Sequence, residues 1–239
     1  MQTHSAPFHK TACSTLKRDD RLQLHADNLT VERGTRTVIA NLTFTANAGE
    51  ALLLTGPNGA GKTTLIRTIG GFIAPVSGKI ALKGDVSDRD IPELCHYVGH
   101  LTGVKANLTA EQNLAFWAEY LGGVSTRSIA ERVDDALDAF GLLALADYPA
   151  GLLSAGQKRR LGLARLIVAE RPIWLLDEPT VSLDAASTTL LAGLIQRHIA
   201  NDGLVIAATH LPLGLEQPRY LRLGSSAPAT DEPTQGAAP

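Results

Sequence analysis

Ala51-Leu52-Leu53-Leu54-Thr55-Gly56-Pro57-Asn58-Gly59-Ala60-Gly61-Lys62-Thr63-Thr64-Leu65-Ile66 decides the fold. Ala51 to Thr55 is a short apolar run of the kind a buried strand presents, and Leu65, Ile66 and Ile69 recur at helical spacing. Between them Gly56–Thr63 fits the phosphate-loop pattern G-x-x-x-x-G-K-[ST], in the strand-to-helix setting that the pattern requires. Glycines let backbone N–H groups turn inward around phosphate oxygens. The helix that follows directs its positive end at the same anion. Gly56, Pro57, Asn58, Gly59, Ala60, Gly61, Lys62, Thr63 and Thr64 are therefore the candidate nucleotide-binding segment. Lys62 is suited to the β- and γ-phosphates and the Thr63 hydroxyl to a magnesium ion.

Around this segment the chain alternates between strand and helix patterns. Leu22, Leu24, Leu29 and Val31, then Leu42 and Phe44, are spaced as in half-buried strands. Ile173–Leu176 and Leu204–Thr209 read as buried strands. Asp184 is placed to cap a helix that runs to about Ala200 and ends at Asn201-Asp202-Gly203. Thr109 with Gln112, and Ser154 with Gln157, fit capping boxes. They open helices that carry Leu114, Trp117, Ala118 and Leu121 in one case and Leu161, Ala164 and Val168 in the other. A third amphipathic pattern joins Ile129, Val133, Ala136, Leu137 and Phe140. The expected architecture is α/β: a mainly parallel sheet with an antiparallel β part and a helical insert over about 100–170. Residues 1–20 and 224–239 are expected to be tails, the second disordered and rich in Ser, Ala, Pro, Thr and Gly. The domain lies between them, over 21–223.

Bulk properties exclude several classes. The 239 residues are 44% hydrophobic and 19% charged, with a formal net charge of −2, so no strong field draws the chain to nucleic acid or anionic lipid. Cys13 and Cys95 are too few for a disulfide framework and read as reduced thiols of a cytoplasmic protein. No apolar run approaches a membrane span, and the first residues lack the apolar stretch of a signal peptide. Work at a membrane would need a partner that holds the chain there. His4, His9, His25, His96 and His198 make no metal-ligand spacing.

Further motifs follow the phosphate loop in order. Ile173-Trp174-Leu175-Leu176-Asp177-Glu178 is an apolar strand that ends in two acids. Asp177 is suited to the magnesium water shell and Glu178 to polarising an attacking water. Leu153-Ser154-Ala155-Gly156-Gln157 places a capped helix N-terminus, a second anion site, far along the chain from the phosphate loop. Lys158, Arg159 and Arg160 follow, and one reading of them is a solvated basic face. Ser182-Leu183-Asp184 comes just after the acids, and His210 closes the strand Leu204–Thr209.

This order resembles the ABC ATPases, with Leu153–Gln157 standing for their Leu-Ser-Gly-Gly-Gln signature and Ala155 for its first glycine. The resemblance implies a P-loop NTPase fold of the ABC type. It also implies a head-to-tail homodimer in which Ser154, Ala155, Gly156 and Gln157 of one copy complete the nucleotide site of the other. It makes Ser182–Asp184 the D-loop, and His210 the switch histidine that acts with Glu178 and Lys62 in catalysis. Arg33 stands where an aromatic residue usually stacks on adenine; a guanidinium plane can stack there too. His100, in Tyr97-Val98-Gly99-His100, occupies the usual place of the Q-loop glutamine. After His210 the run Leu211-Pro212-Leu213 opposes the helix found in most relatives, and no regulatory domain is expected beyond it.

Those last features, with Leu108–Leu114 and Leu153–Arg160, resemble the haem-exporter ATP-binding subunits of the bacterial cytochrome c maturation system, although Leu101 replaces the expected glutamine. The resemblance implies ATP hydrolysis with Mg²⁺ at the cytoplasmic face of the bacterial inner membrane, where the chain is peripheral. The implied partners are polytopic membrane subunits and, through them, a haem chaperone. Hydrolysis is implied to release haem-loaded chaperone rather than simply to pump haem. Three other readings compete. An exporter subunit for drugs, lipids or ions would share every catalytic residue, but with a glutamine in the Q-loop. A soluble ABC ATPase acting on ribosomes or DNA usually carries two cassettes or a long coiled-coil insertion. A non-hydrolysing binding module is opposed by the intact Lys62, Asp177, Glu178 and His210.

Overall fold

The structure, a computed structural model, describes residues 21–86, 88–122, 126–211 and 213–224. The expected tails, Cys13 and Pro212 lie outside the described residues, apart from Gly224.

The first two strands belong to an antiparallel sheet. Strands β1 (Gln23–Arg33) and β2 (Arg36–Asn47) make a hairpin, and β4 (Ser77–Lys83) pairs with the other edge of β1 in the order β2-β1-β4. The apolar alternation in β1 changes phase: Leu24 and Ala26 are buried, then Leu29 and Val31. Side chains alternate strictly along a strand, so the phase can change only where a residue is inserted. The register shifts between Asp27 and Thr30, and Asn28 there has φ 47°. Gly78 of β4 faces this bulge so closely that a Cβ would strike the Asp27 and Asn28 carbonyls. β2 makes the same correction at Asn41, φ 50°, between buried Ile39 and Leu42.

The second sheet is wholly parallel, in the order β5-β6-β7-β3-β8, built from β3 (Ala51–Thr55), β5 (Cys95–Val98), β6 (Ile173–Asp177), β7 (Leu204–Ala208) and β8 (Arg219–Arg222). Its central strands are continuous apolar runs because both faces are covered. Period two divides each strand between two cores. Leu52, Leu54, Ile173, Leu175, Leu204 and Ile206 join the antiparallel sheet and helix α1 (Lys62–Ile69) on one face. Leu53, Trp174, Leu176, Val205 and Ala207 meet the helices on the other face.

The helices are α2 (Ile91–Leu94), α3 (Ala110–Leu121), α4 (Ile129–Ala139), α5 (Ala155–Val168) and α6 (Ala185–Ala200). Both capping boxes form as the sequence indicates, at Thr109/Gln112 and Ser154/Gln157. A third, at Ser128/Glu131, starts α4. Residues 101–109 are not helical. They are held by the buried Asn113, whose amide oxygen accepts from Lys105 N at 2.8 Å and whose nitrogen donates to the Lys105 and Thr109 carbonyls. Strands β4, β5 and β8 are too short or too polar to show an alternating pattern. Among the described residues no helix is long and apolar enough to cross a membrane.

Two histidines belong to this frame. His96 on β5 is 2% exposed, with Nε2 2.7 Å from the Ala169 carbonyl. Burial lowers it to about 3. His198 lies parallel to Trp174, ring centroids 4.0 Å apart, and burial lowers it to about 4. Both values fall below the ordinary 6.5, so the unfolded chain takes up protons first on acidification. The stability that depends on the neutral rings is complete above about pH 6.5 and is lost progressively as pH falls toward 4 and then 3. His96→Gln, which can still donate to Ala169, should remove its share of that slope, about 2 kcal/mol between pH 7.5 and pH 5. Urea unfolding at the two pH values checks this. An unchanged slope in the variant would show that His96 does not carry it.

Candidate functional site

The site forms at the carboxyl ends of β3, β5, β6 and β7, where ligands of open parallel sheets bind. Strand β3 ends at Thr55, and the phosphate loop follows. Gly56 has φ 132°, and a Cβ on it would run into the Leu223 carbonyl at the end of β8. Gly61 has φ 101° and is the N-cap of α1; a Cβ there would sit 3.0 Å from the Val38 side chain of β2. A side chain would be strained by the backbone at both places, and at Gly56 it would also strike a carbonyl.

The N-terminus of α1 differs from those of the other long helices. Thr109, Ser128, Ser154 and Asp184 each cap their helix with a side-chain acceptor, whereas Gly61 offers none. The first N–H groups of α1 are thus left for an anion. Lys62 is 7% exposed, and its ammonium donates to the Gly56 carbonyl at 2.7 Å and the Pro57 carbonyl at 3.1 Å. This keeps the charge on the loop. Thr63 is exposed and its hydroxyl donates to Asp177 Oδ1 at 2.9 Å. Thr64 is buried, so its backbone alone remains for a ligand.

Asp177 ends β6 and is 3% exposed. Glu178 follows at φ 50°, a strained left-handed conformation for a residue other than glycine. Its N–H donates to the Ala208 carbonyl at the end of β7, 2.8 Å away. That bond places its side chain beside His210, with Nε2 and Oε1 3.4 Å apart. Sheet order thus brings Thr63 to Asp177 and Glu178 to His210, pairs far apart in sequence. His100 is exposed just past β5.

The start of α5 lies apart from the loop. Ser154 Oγ accepts from Gln157 N at 3.2 Å, and Gln157 Oε1 accepts from Ser154 N at 2.8 Å. A Cβ on Gly156 would sit 3.3 Å from the Ser182 carbonyl, so the glycine admits close approach of the Ser182–Asp184 turn. Ala155 is exposed, and its methyl group costs the packing nothing. Among the described residues no hydrogen bond or ion pair joins Ser154, Ala155, Gly156 or Gln157 to the chain's own phosphate loop. Arg33 is exposed at the tip of the β1–β2 hairpin, opposite Arg36.

The solvated reading of Lys158–Arg160 fails at its centre. Arg159 is 3% exposed and its guanidinium donates to the Gly99, Glu178 and Pro179 carbonyls at 2.8, 2.6 and 3.2 Å. Arg165 is also buried, donating to the Tyr97 carbonyl and lying over the Trp117 ring. Burial lowers it to about 10. Sequence reasoning missed both. No local signal marks either, because their partners are carbonyls of segments distant in the chain.

The ABC transporter family model matches residues 39–181. The cytochrome c biogenesis ATP-binding export protein CcmA of Bradyrhizobium diazoefficiens is 47% identical over 208 residues, covering 86% of this chain and all of that protein. The protein of the same name from Rhodopseudomonas palustris is 49% identical over 195 residues, covering 82% of this chain and 94% of that one. Among solved structures, an ATP-binding subunit of an ABC transporter superposes with a TM-score of 0.74 at 24% identity, over 84% of this chain and 85% of that one. A bacterial Atm1-family ABC exporter with ATP bound gives 0.71 at 26% identity, over 86% of this chain and 37% of that one.

Proposed function

The chain belongs to the ABC transporter family and, within it, to the cytochrome c biogenesis ATP-binding export proteins, and from that premise we propose how its residues use ATP and what the hydrolysis drives. It is the ATP-hydrolysing subunit of the exporter. The observation that carries the mechanism is the meeting of Thr63 with Asp177 and of Glu178 with His210 at one crest of the sheet. Triphosphate lies across the uncapped start of α1, held by the loop N–H groups and Lys62. Arg33 stacks on the adenine. A hydroxyl and a buried carboxylate 2.9 Å apart, with no larger acidic cluster among the described residues, suit Mg²⁺, which keeps most of its shell from water and phosphate. Thr63 and Asp177 would hold it, and it would supply positive charge to the phosphate oxygens. Glu178 orients the attacking water and accepts its proton. Lys62 and His210 stabilise charge on the transferring phosphoryl group.

Two copies pair head to tail, and Ser154–Gln157 of each faces the other's γ-phosphate. Among the described residues no hydrogen bond or ion pair ties these residues to their own loop, which leaves them available for this arrangement. Polytopic membrane subunits receive the motion through the exposed His100–Leu101 segment; Leu101 is 85% exposed. The chain works peripherally at the cytoplasmic face of the inner membrane, and hydrolysis drives haem export or release of a haem-loaded chaperone. The relatives' names do not favour a drug, lipid or ion exporter, or a soluble ATPase acting on nucleic acid.

Mixing two inactive variants tests the shared site. Lys62→Ala breaks the loop and Ser154→Arg blocks the facing helix. In a mixed dimer one site carries both defects and the other carries neither. Half of randomly paired dimers are mixed, so activity should return to about a quarter of wild type. Persistent inactivity of a mixture shown to exchange subunits would overturn the head-to-tail site.

A further inference from the structure

Arg159 has no role in the mechanism above, yet it occupies the junction of every moving part. It projects from the second turn of α5, the helix whose start faces the partner's nucleotide. It donates to Gly99, one residue before His100, and to Glu178 and Pro179; a longer contact of 3.5 Å reaches the Asp177 carbonyl. These acceptors are backbone carbonyls. The Glu178 carbonyl also accepts from Val181 N at 3.3 Å, so the guanidinium reinforces a turn already formed, and burying that cation has a cost in desolvation. Burial pulls Arg159 below its ordinary value, opposed by the Asp177 and Glu178 carboxylates.

The conformation of Glu178 is what such a contact can fix. As a non-glycine residue ahead of a proline it has little intrinsic reason to take φ 50°. Surrounding contacts must hold it there. Its N–H donates to the Ala208 carbonyl, its own carbonyl accepts from Val181 N at 3.3 Å and from the Arg159 guanidinium at 2.6 Å, and its carboxylate lies 3.4 Å from His210. A planar fork can serve carbonyls from two segments in a fixed geometry, which a lysine ammonium on a flexible stem cannot.

We propose that Arg159 is a positioning residue for hydrolysis: its guanidinium holds the backbone that presents Glu178 in register with the signature helix and the Gly99–His100 loop. The proposal rests on the assignment of Glu178 as the residue that activates water. The test uses the full-length chain with Arg159→Lys and Arg159→Met, and Arg159→Lys combined with Glu178→Gln. Misplacement of a reacting group by about 1 Å costs on the order of 100-fold, so kcat should fall about 10- to 100-fold in both single variants. KM and the Kd for ATP should stay within about threefold, since no phosphate contact is lost. On the Glu178→Gln background, Arg159→Lys should change residual turnover less than about twofold, because a residue acting through Glu178 has nothing left to position.

If Arg159→Met does not fold, Arg159→Lys, which keeps the charge, still carries the test. Undiminished kcat in Arg159→Lys beside an inactive Glu178→Gln would overturn the proposal alone. A full additional loss on the Glu178→Gln background, or ATP affinity falling in step with kcat, would do the same. Wild-type turnover in Glu178→Gln by itself would remove Glu178 from the chemistry and the proposal with it.

Discussion

Glu178→Gln should bind ATP as the parent does and lose nearly all turnover. Glutamine has the same shape, so the left-handed backbone, the N–H bond to Ala208 and the Arg159 contact are all retained. What disappears is the carboxylate 3.4 Å from His210, to which we assign acceptance of the attacking water's proton. Loss of a general base costs about 10²- to 10⁴-fold. ATP-dependent dimers should accumulate, because in the proposed cycle hydrolysis is the step that reopens them. Phosphate release and size-exclusion chromatography with ATP measure the two halves of this expectation. Turnover within a few-fold of wild type would exclude Glu178 from the role.

Lys62→Ala should fail earlier, at binding as well as at turnover. The ammonium is almost wholly buried and held by two loop carbonyls, so it contributes to the shape of the loop as well as to its charge. Its removal leaves the Gly56 and Pro57 carbonyls without that donor and the proposed triphosphate site without the loop's ammonium. A lost charge-assisted contact to phosphate weakens ATP binding by about 10-fold or more, and kcat falls by a further 10²-fold or so because charge on the transferring group is no longer met. A fluorescent ATP analogue titrated against both proteins reads the first effect and steady-state hydrolysis the second. Unchanged affinity would place Lys62 outside the phosphate site.

Much of this site is legible in the sequence because each motif is local. Gly56–Thr63 needs only a strand before it and a helix after it, and Ser154 with Gln157 announces a helix start wherever the helix packs. The buried strands are legible for the same reason, since Ile173–Leu176 and Leu204–Ala208 are apolar at every position. What the sequence hides depends on pairing. The bulges at Asn28 and Asn41 are written only as a change of phase between Leu24 and Leu29, and between Ile39 and Leu42. Strand β4 is polar enough to pass for loop until β1 is beside it. Arg159 carries no local mark that separates it from Lys158 and Arg160. Its burial follows from the Gly99 and Glu178 carbonyls, which approach from segments 60 and 19 residues away. The pairing of Glu178 with His210 likewise requires β6 and β7 to be neighbours, and that order is a property of the sheet.

The central claim joins an ATPase site to cytochrome c biogenesis, and one measurement in the source organism addresses both at once. Lys62→Ala replaces the native gene, the variant protein is shown by immunoblot to accumulate normally, and haem covalently bound to c-type cytochromes is quantified by haem staining. That haem should be lost and should return when the unmutated gene is supplied. Normal covalent haem in cells that carry only the Lys62→Ala protein would contradict the central claim.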